Sequence, residues 1–237
     1  MAAGCLHLLP AWLAEDTPPE EVVPAPVLAR MRKLDTFIVE NAKSARAYLA
    51  ACKHPMPMRD IAIAELNERT PSGQVLALLD PVAAGKDAGL LSEAGLPAIA
   101  DPGALLVAAA HARGIKVVPH VGPSSILLAL MASGLEGQRF RFAGYLPAES
   151  AARRARIAEL ERWSAKAAET QIFIETPYRN DALLADILQT CRPVTRLAVA
   201  AELTSSNEWI RSDSVEGWRS KTATLGKRPA IFLLLAR

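Results

Sequence analysis

Aromatic residues are scarce, at 5% of the 237 residues, so any core must be built mainly from Ala, Leu, Val and Ile. Cysteine is scarcer still: Cys5, Cys52 and Cys191 lie far apart, with no CxxC pair and no Cys/His cluster along the chain. That spacing argues against a disulfide framework or a zinc motif and suits a reduced, cytoplasmic setting. The four histidines, His7, His54, His111 and His120, show no ligand spacing, so no metal is expected. An excess of one charge is also lacking. The 27 Lys and Arg against 25 Asp and Glu leave +2, which argues neither for nor against nucleic acid. No run approaches the ~18 apolar residues of a membrane span. The opening MAAGCLHLLPAWLAED has no basic leader and reads as a first strand, not a signal peptide.

What the chain does have is a hydrophobic share of 51%, enough for a real core. Its organising stretch is Leu90 to Leu135. A short apolar run, Ala88 to Leu91, is followed by a loop carrying Gly95, Pro97, Asp101, Pro102 and Gly103. An Ala/Leu/Val helix (Ala104 to Ala112) comes next. Then come a strand (Ile115 to Pro119) and the turn Gly122-Pro123-Ser124-Ser125, which opens another helix. This is the pattern of a buried parallel sheet, in which ligands sit outside the carboxyl ends of the strands. The loop has no GxGxxG and no GK[ST], so a dinucleotide or nucleoside triphosphate held by its phosphates is not indicated. Spacing alone leaves open whether the glycines and prolines serve a ligand or simply shape turns.

Elsewhere, strands are expected at Cys5 to Leu9, Thr36 to Glu40, Met58 to Leu66, Arg139 to Gly144, Gln171 to Glu175, Arg196 to Leu203 and Ala230 to Leu235. Helices are expected at Val27 to Lys33, from Asn41 as N-cap to Ala51, from Ser72 to Leu79, at Ala151 to Ala168, and from Asp181 as cap to Thr190. Composition changes at Leu146-Pro147, suggesting an N-terminal domain of residues 1–145 and a C-terminal domain of residues 146–237.

Several stretches, in order, resemble the tetrapyrrole methylase superfamily. EAGLPAIADPG, VVPHVGPSS and ASGL are similar to its SDAGTPxISDPG, VVPxPGPSA and SxSGL. Within it, the branch of ribosomal RNA small-subunit methyltransferases supplies further matches: FRFAGYLP resembles FxFxGFLP, IFIETPYR resembles FYExxHR, and VAAELTSSNE resembles LxRELTKxxE. ELNE (Glu65 to Glu68) and Val39-Glu40 fit its HNE and AED. The resemblance covers nearly the whole chain. It implies a two-domain α/β fold with a parallel-type sheet in the N-terminal domain, a mixed sheet in the C-terminal domain, and a ligand cleft between them. The family's cofactor is S-adenosylmethionine, and the usual assembly is a homodimer.

By position, the resemblance places cofactor contacts at Pro10 and Ala11, at Gly95, Leu96, Pro97 and Ile99, and at Ser124, Ser125 and Ile126. In the second domain it points to Thr176, Ala201, Pro229 and Ala230. The sulfonium is already an activated methyl donor, so alignment carries much of the catalysis. A ribose hydroxyl is a poor nucleophile, so a base or polarising group near it would help. Glu175, Tyr178, Arg179 and Glu202 are the candidates, although a Glu beside an Arg also reads as an ion pair. The implied reaction is 2′-O-methylation of a cytidine in 16S ribosomal RNA, with ribosomal RNA or the small subunit as partner. A tetrapyrrole or other small-molecule acceptor, and a degenerate member that binds RNA or a partner without transfer, are the alternatives.

The departures concentrate in the first loop and at basic positions. PTPIGNL becomes PAWLAED, losing a glycine and placing Trp12 nearby; AEDTR becomes VENAK; KSKxRR becomes ESAARR, with Glu149 for a lysine; ARELTK becomes AAELTS. Fewer cations weaken phosphate contacts. Arg139, Arg141, Arg153, Arg154, Arg156, Arg179, Arg192 and Arg196 remain, either as phosphate contacts or as a solvated face. Arg139-Phe140-Arg141-Phe142 suits RNA stacking and an ordinary amphipathic strand equally. Trp163, Trp209 and Trp218 read as packing residues.

Overall fold

A computed structural model describes residues 3–221 and 223–237, and the chain groups into two compact units, residues 1–124 and 125–237. The first unit opens with β1 (Cys5–Leu8), two short helices α1 (Pro19–Val22) and α2 (Ala25–Met31), and β2 (Thr36–Val39). It continues through α3 (Ala42–Ala51), β3 (Ala62–Glu65), α4 (Ser72–Ala77), α5 (Asp80–Ala83), β4 (Ala88–Leu91), α6 (Gly103–Ala112) and β5 (Lys116–Pro119). Its strands run in the order β3-β2-β4-β1-β5, and every pairing is parallel. All four residues of β2 and all four of β4 are buried, as strands covered on both faces must be. Asn41 caps α3 as expected, its side chain accepting from the N–H groups of Lys43 and Ser44 at 2.9 and 3.2 Å.

The second unit contains α7 (Ser125–Ser133), β6 (Phe140–Tyr145), α8 (Ser150–Ala167), β7 (Thr170–Ile174), a 3₁₀ turn (Pro177–Arg179) and α9 (Asn180–Thr190). The hairpin of β8 (Arg196–Ala201) and β9 (Trp209–Ser214), α10 (Val215–Ser220) and β10 (Ala230–Leu235) complete it. Its sheet runs β6-β7-β10-β8-β9, with β6 parallel to β7 and the other pairings antiparallel. This is the mixed sheet that the resemblance implied. Residues 125–145 group with this unit, upstream of the Leu146-Pro147 break that composition suggested, because β6 pairs with β7 and α7 packs on β8, β9 and β10. The core centres on Phe173 and Phe232, fully buried with rings stacked 6.0 Å apart. Ile157 and Leu160 of α8 are fully buried too, and Trp163 packs against the same cluster.

Three local expectations change. The helix expected to be capped by Asp181 starts two residues earlier, at Asn180 with Arg179 in the N-cap position, and the Asp181 carboxylate caps nothing there. It accepts instead from the N–H groups of Leu225 and Gly226, at 2.7 and 3.1 Å. Glu149 is the N-cap of α8, accepting from Ala151 and Ala152 N–H at 2.8 and 2.6 Å, so the loss of a lysine here gains a helix start. These amides hold the Glu149 carboxyl below its ordinary range. Finally, β6 does not alternate: Phe140 and Arg141 are both exposed and Phe142 to Gly144 are half-buried. Among the described residues no helix is long and apolar enough to cross a membrane.

Candidate functional site

In the first unit, the loops leaving β1, β4 and β5 meet at the carboxyl ends of the strands. Ala11 N–H donates to the Gly95 carbonyl at 2.8 Å, forming an isolated antiparallel bridge between the first two loops. Gly95 has φ +72°, a region that penalises a side chain, and a Cβ there would stand 3.3 Å from Leu13 Cδ2 and 3.5 Å from the Pro123 carbonyl oxygen. The third loop closes on the first: a Cβ on Gly122 would lie 2.1 Å from Pro10 Cβ. Pro10 is further held by Tyr48, whose hydroxyl donates to its carbonyl at 2.9 Å. Trp12 lies 5.2 Å from the Tyr48 ring and packs against the core cluster of this unit.

The loop after β4 is strained. Ala98 and Ala100 both take positive φ, +65° and +63°, which costs ~1–2 kcal/mol for a residue with a Cβ. Asp101 sustains it, accepting from the N–H groups of Ala98 and Gly103, the latter at 2.7 Å, and from the Ser92 hydroxyl. Such outliers persist where neighbours over-determine them, and they cluster at ligand sites. Ile99, between the two alanines, is 48% exposed. Beside this loop, Glu40, Ser92, Asp101 and Gly103 help line a shallow hollow of about 170 Å³ that includes open solvent. Burial, aided by nearby Glu93 and Asp101, pushes the Glu40 carboxyl above its usual range against one N–H bond from Glu93. Glu65, from the ELNE stretch, accepts from Ala42 N–H at 2.8 Å.

In the second unit, the end of β7, the start of β10 and the end of β8 lie side by side. Ile231 pairs with Ile174, Ala230 pairs with Ala201, and Glu202 N–H donates to the Pro229 carbonyl at 2.9 Å. Ala201, Pro229 and Ala230 are therefore brought to one edge, near the end of β7 that leads to Thr176. Glu175 stands among them, 4% exposed. Its Oε1 accepts from Thr176 N–H at 2.7 Å and from Arg179 Nε and Nη2 at 2.9 and 2.6 Å. Its Oε2 is buried with no hydrogen-bond partner among the described residues. The Glu175 hydrogen bonds raise the Arg179 guanidinium further above its ordinary value. Next in the chain, Asn180 donates to the Arg228 carbonyl at 2.6 Å, and its Oδ1 is likewise buried and unpartnered. Together with Asp181 it ties the loop before β10 to the start of α9.

Tyr178 is 70% exposed and lies 5.4 Å from the Arg179 guanidinium. Sequence reasoning missed Tyr145, at the end of β6. It is 60% exposed, opposite Ile174 in register, and close enough to bear electrostatically on Arg179. Its place as the last residue of FRFAGY was the available signal. Glu202 is half-buried with φ +51°. Ser125 and Ile126 form the first turn of α7, while Ser124 is buried at the end of the first unit.

The arginines divide by partner. Arg153 is 4% exposed and bonded to Asp186 at 2.6–2.7 Å, so it is a core ion pair and not a phosphate contact. Arg141 and Arg156 place their guanidinium carbons 5.0 and 4.7 Å from the Trp163 ring. Arg139 and Arg196 are exposed. Trp218 is buried and Trp209 is packed against it, as expected of packing residues.

A five-stranded parallel α/β unit is followed by a five-stranded mixed one, each with its loops gathered at one sheet end, and solved structures share this fold. The solved methyltransferase CobJ matches with a TM-score of 0.64 at 16% identity, covering 99% of this chain and 95% of that one. The conserved hypothetical protein APE0931 of Aeropyrum pernix K1 matches with a TM-score of 0.67 at 18% identity, covering 100% and 86%. The chain belongs to the tetrapyrrole (corrin/porphyrin) methylases, whose family profile matches residues 25–216.

Among curated relatives, the ribosomal RNA small subunit methyltransferase I of Pseudomonas aeruginosa is 40% identical over 148 residues, 62% of this chain and 50% of the relative. Those of Vibrio cholerae and Xylella fastidiosa are each 34% identical, over 76% and 81% of this chain and 60% and 67% of the relatives. The chain thus spans half to two thirds of the length of these relatives.

Proposed function

We propose that the chain is an S-adenosylmethionine-dependent methyltransferase acting on the 2′-hydroxyl of a cytidine in 16S ribosomal RNA. It would work as a homodimer in the cytoplasm. The observation that carries the reading is the buried, unpartnered Oε2 of Glu175, set in the stretch ETPYR at the edge formed by Thr176, Ala201 and Pro229. The shared name of the relatives at 34–40% identity supports the choice of acceptor.

The residues suit the cofactor. It carries an amino group and hydroxyls as donors, apolar surface and no phosphate, and one buried acceptor, Asn180 Oδ1, lacks a partner among the described residues. In the first unit, backbone groups of Pro10, Ala11, Gly95, Leu96, Pro97 and Ile99, with Ser124, are the candidate contacts; in the second they are Ser125, Ile126, Thr176, Ala201, Pro229 and Ala230. When bound, its sulfonium supplies the methyl group. Arg179 fixes Glu175 through Oε1, leaving Oε2 to accept the hydroxyl proton as the new O–CH₃ bond forms. Glu202 adds a second carboxylate at the end of β8. Tyr145 and Tyr178, both exposed, would stack on bases.

The test is methyl transfer from labelled cofactor to small subunits lacking ribose methylation. One alkali-resistant cytidine linkage in 16S RNA is expected; label on a base, or none, would overturn the reading. A second reading, binding without transfer, is favoured by the first loop, where Gly122 and Tyr48 lock Pro10. Calorimetry separates the two, since a non-catalytic member with a closed loop gives no heat with millimolar S-adenosylmethionine.

A further inference from the structure

Four polar side chains converge in the first unit, and no step proposed above uses them. Cys5 and His7 are two residues apart on β1, so strand alternation puts them on one face. Asp87 directly precedes β4, whose Ala88 pairs with Leu6 between them. A thiol sulfur, an imidazole nitrogen and a carboxylate oxygen from these three residues all lie within 4.8 Å of one another. Asp87 is fixed by its Oδ1, which accepts from Cys5 N–H at 2.8 Å. Its Oδ2 is 3.6 Å from His7 Nε2, too far for a hydrogen bond. His7 is only 4% exposed, and its Nε2 has no hydrogen-bond partner among the described residues.

The other nitrogen of His7, Nδ1, lies 3.0 Å from His120 Nε2. When Nδ1 carries the proton and donates to His120, Nε2 presents its lone pair to Cys5 and Asp87. One ring nitrogen held by a neighbour and the other turned to further donors is the arrangement of a metal-ligating histidine.

We propose that Cys5, His7 and Asp87 bind a divalent transition metal of the zinc class, with His120 orienting His7 from outside the coordination sphere. Sulfur, nitrogen and one carboxylate oxygen form a donor set suited to zinc and unsuited to calcium or magnesium. Donors around a tetrahedral zinc stand about 3.5 Å apart. Rotation of the partly exposed Cys5 side chain would close the difference without moving the strands or the fixed Asp87. The thiolate and the carboxylate together balance the charge of the ion, against the nearby cations Arg30 and Lys116. Water takes the fourth position. Cys5 and Asp87 stand at the amino ends of β1 and β4, so the metal clips β1 to the start of β4 and takes no part in methyl transfer.

The test is titration of the metal-free chain with Co²⁺ and then Zn²⁺, with a chromophoric chelator as competitor. One equivalent, a thiolate-to-cobalt charge-transfer band and a metal-dependent rise in melting temperature are expected. Zn²⁺ should also protect Cys5 from alkylation; Cys52 and Cys191 are buried and do not compete for reagent. Cys5→Ser and Asp87→Asn should each weaken binding ~100-fold or more, and His120→Gln about 10-fold, as for an outer partner. In Asp87→Asn the amide oxygen can still accept from Cys5 N–H, so a metal-free melt checks that this variant is folded. Absence of the charge-transfer band, or equal affinity in the parent and in the Cys5→Ser and Asp87→Asn variants, would overturn the site.

Discussion

The loop end of the first unit is made of main chain, and the corresponding edge of the second is made of side chains. Around Gly95, contacts run mainly between backbone groups, and Asp101 braces the loop by accepting from Ala98 N–H, Gly103 N–H and the Ser92 hydroxyl. Around Glu175, a carboxylate, a guanidinium and an amide form the structure and leave two acceptor atoms unpaired. The first arrangement tolerates sequence drift so long as chain geometry survives. The second does not, because each side chain has its own partner. This explains why PAWLAED could depart from the family while ETPYR, at the second edge, stays close to it.

Four measurements would break or sharpen that contrast. The largest effect is expected from Asp186→Ala, which strands the buried Arg153. A loss of about 3–5 kcal/mol is expected. It would be read as a lowered urea midpoint by fluorescence in a Trp12→Phe background, where the remaining tryptophans report on the second unit. A lowered midpoint of the second unit is the expected outcome; an unchanged one would dissolve the comparison. Glu175→Gln comes next. Activity on the RNA should drop ~100-fold, while the amide still accepts from Arg179 and keeps the edge folded. Unchanged turnover would remove Glu175 as proton acceptor.

Gly122→Ala should cost about 2 kcal/mol in the first unit, since the new methyl group must displace Pro10. Cofactor affinity should weaken with it, and a wild-type melt would show that the first and third loops are not locked together.

The smallest effect concerns Glu40. Burial raises its folded pKa above the ordinary 4.5, so the folded state binds this proton more tightly than the unfolded chain does. Its contribution is complete below the ordinary value and is lost as pH rises through the folded one. Glu40→Gln, which mimics the protonated acid, should therefore raise the melting temperature at pH 7 by about 2 °C and leave it unchanged at pH 4. The reverse pH dependence would contradict the buried setting.

Much of the fold was legible because apolar runs and punctuation agree. TFIV, AGLL and AIFLLL are buried along their whole length, and Asn41 caps its helix. β9 was not legible: WIRSDS is half-buried throughout, and Arg211, Ser212 and Asp213 read as loop until β8 pairs beside them. Asp181 misled for a related reason. An acid next to a helix start looks like a cap, and only tertiary structure shows that it holds Leu225 and Gly226. At the site, the resemblance brought Thr176, Ala201 and Pro229 together, but Tyr145 needed the register of β6 against β7. His7 and His120, 113 positions apart, gave no pattern along the chain; only the sheet joins them.

The place of β10 has a further consequence, for biosynthesis. It is the middle strand of its sheet, lying between β7 and β8, and it is encoded after every other strand. The first unit is the opposite case, since β1 is made first and later strands add to both of its sides. A nascent chain can therefore finish its first sheet during synthesis, whereas β7 and β8 keep open edges until residues 230–235 emerge. Unpaired edges of buried strands invite association with other chains. The second half of the molecule should thus depend more on chaperones, and shortening the reading frame by a few codons before Ala230 should yield aggregates whose first unit is still folded.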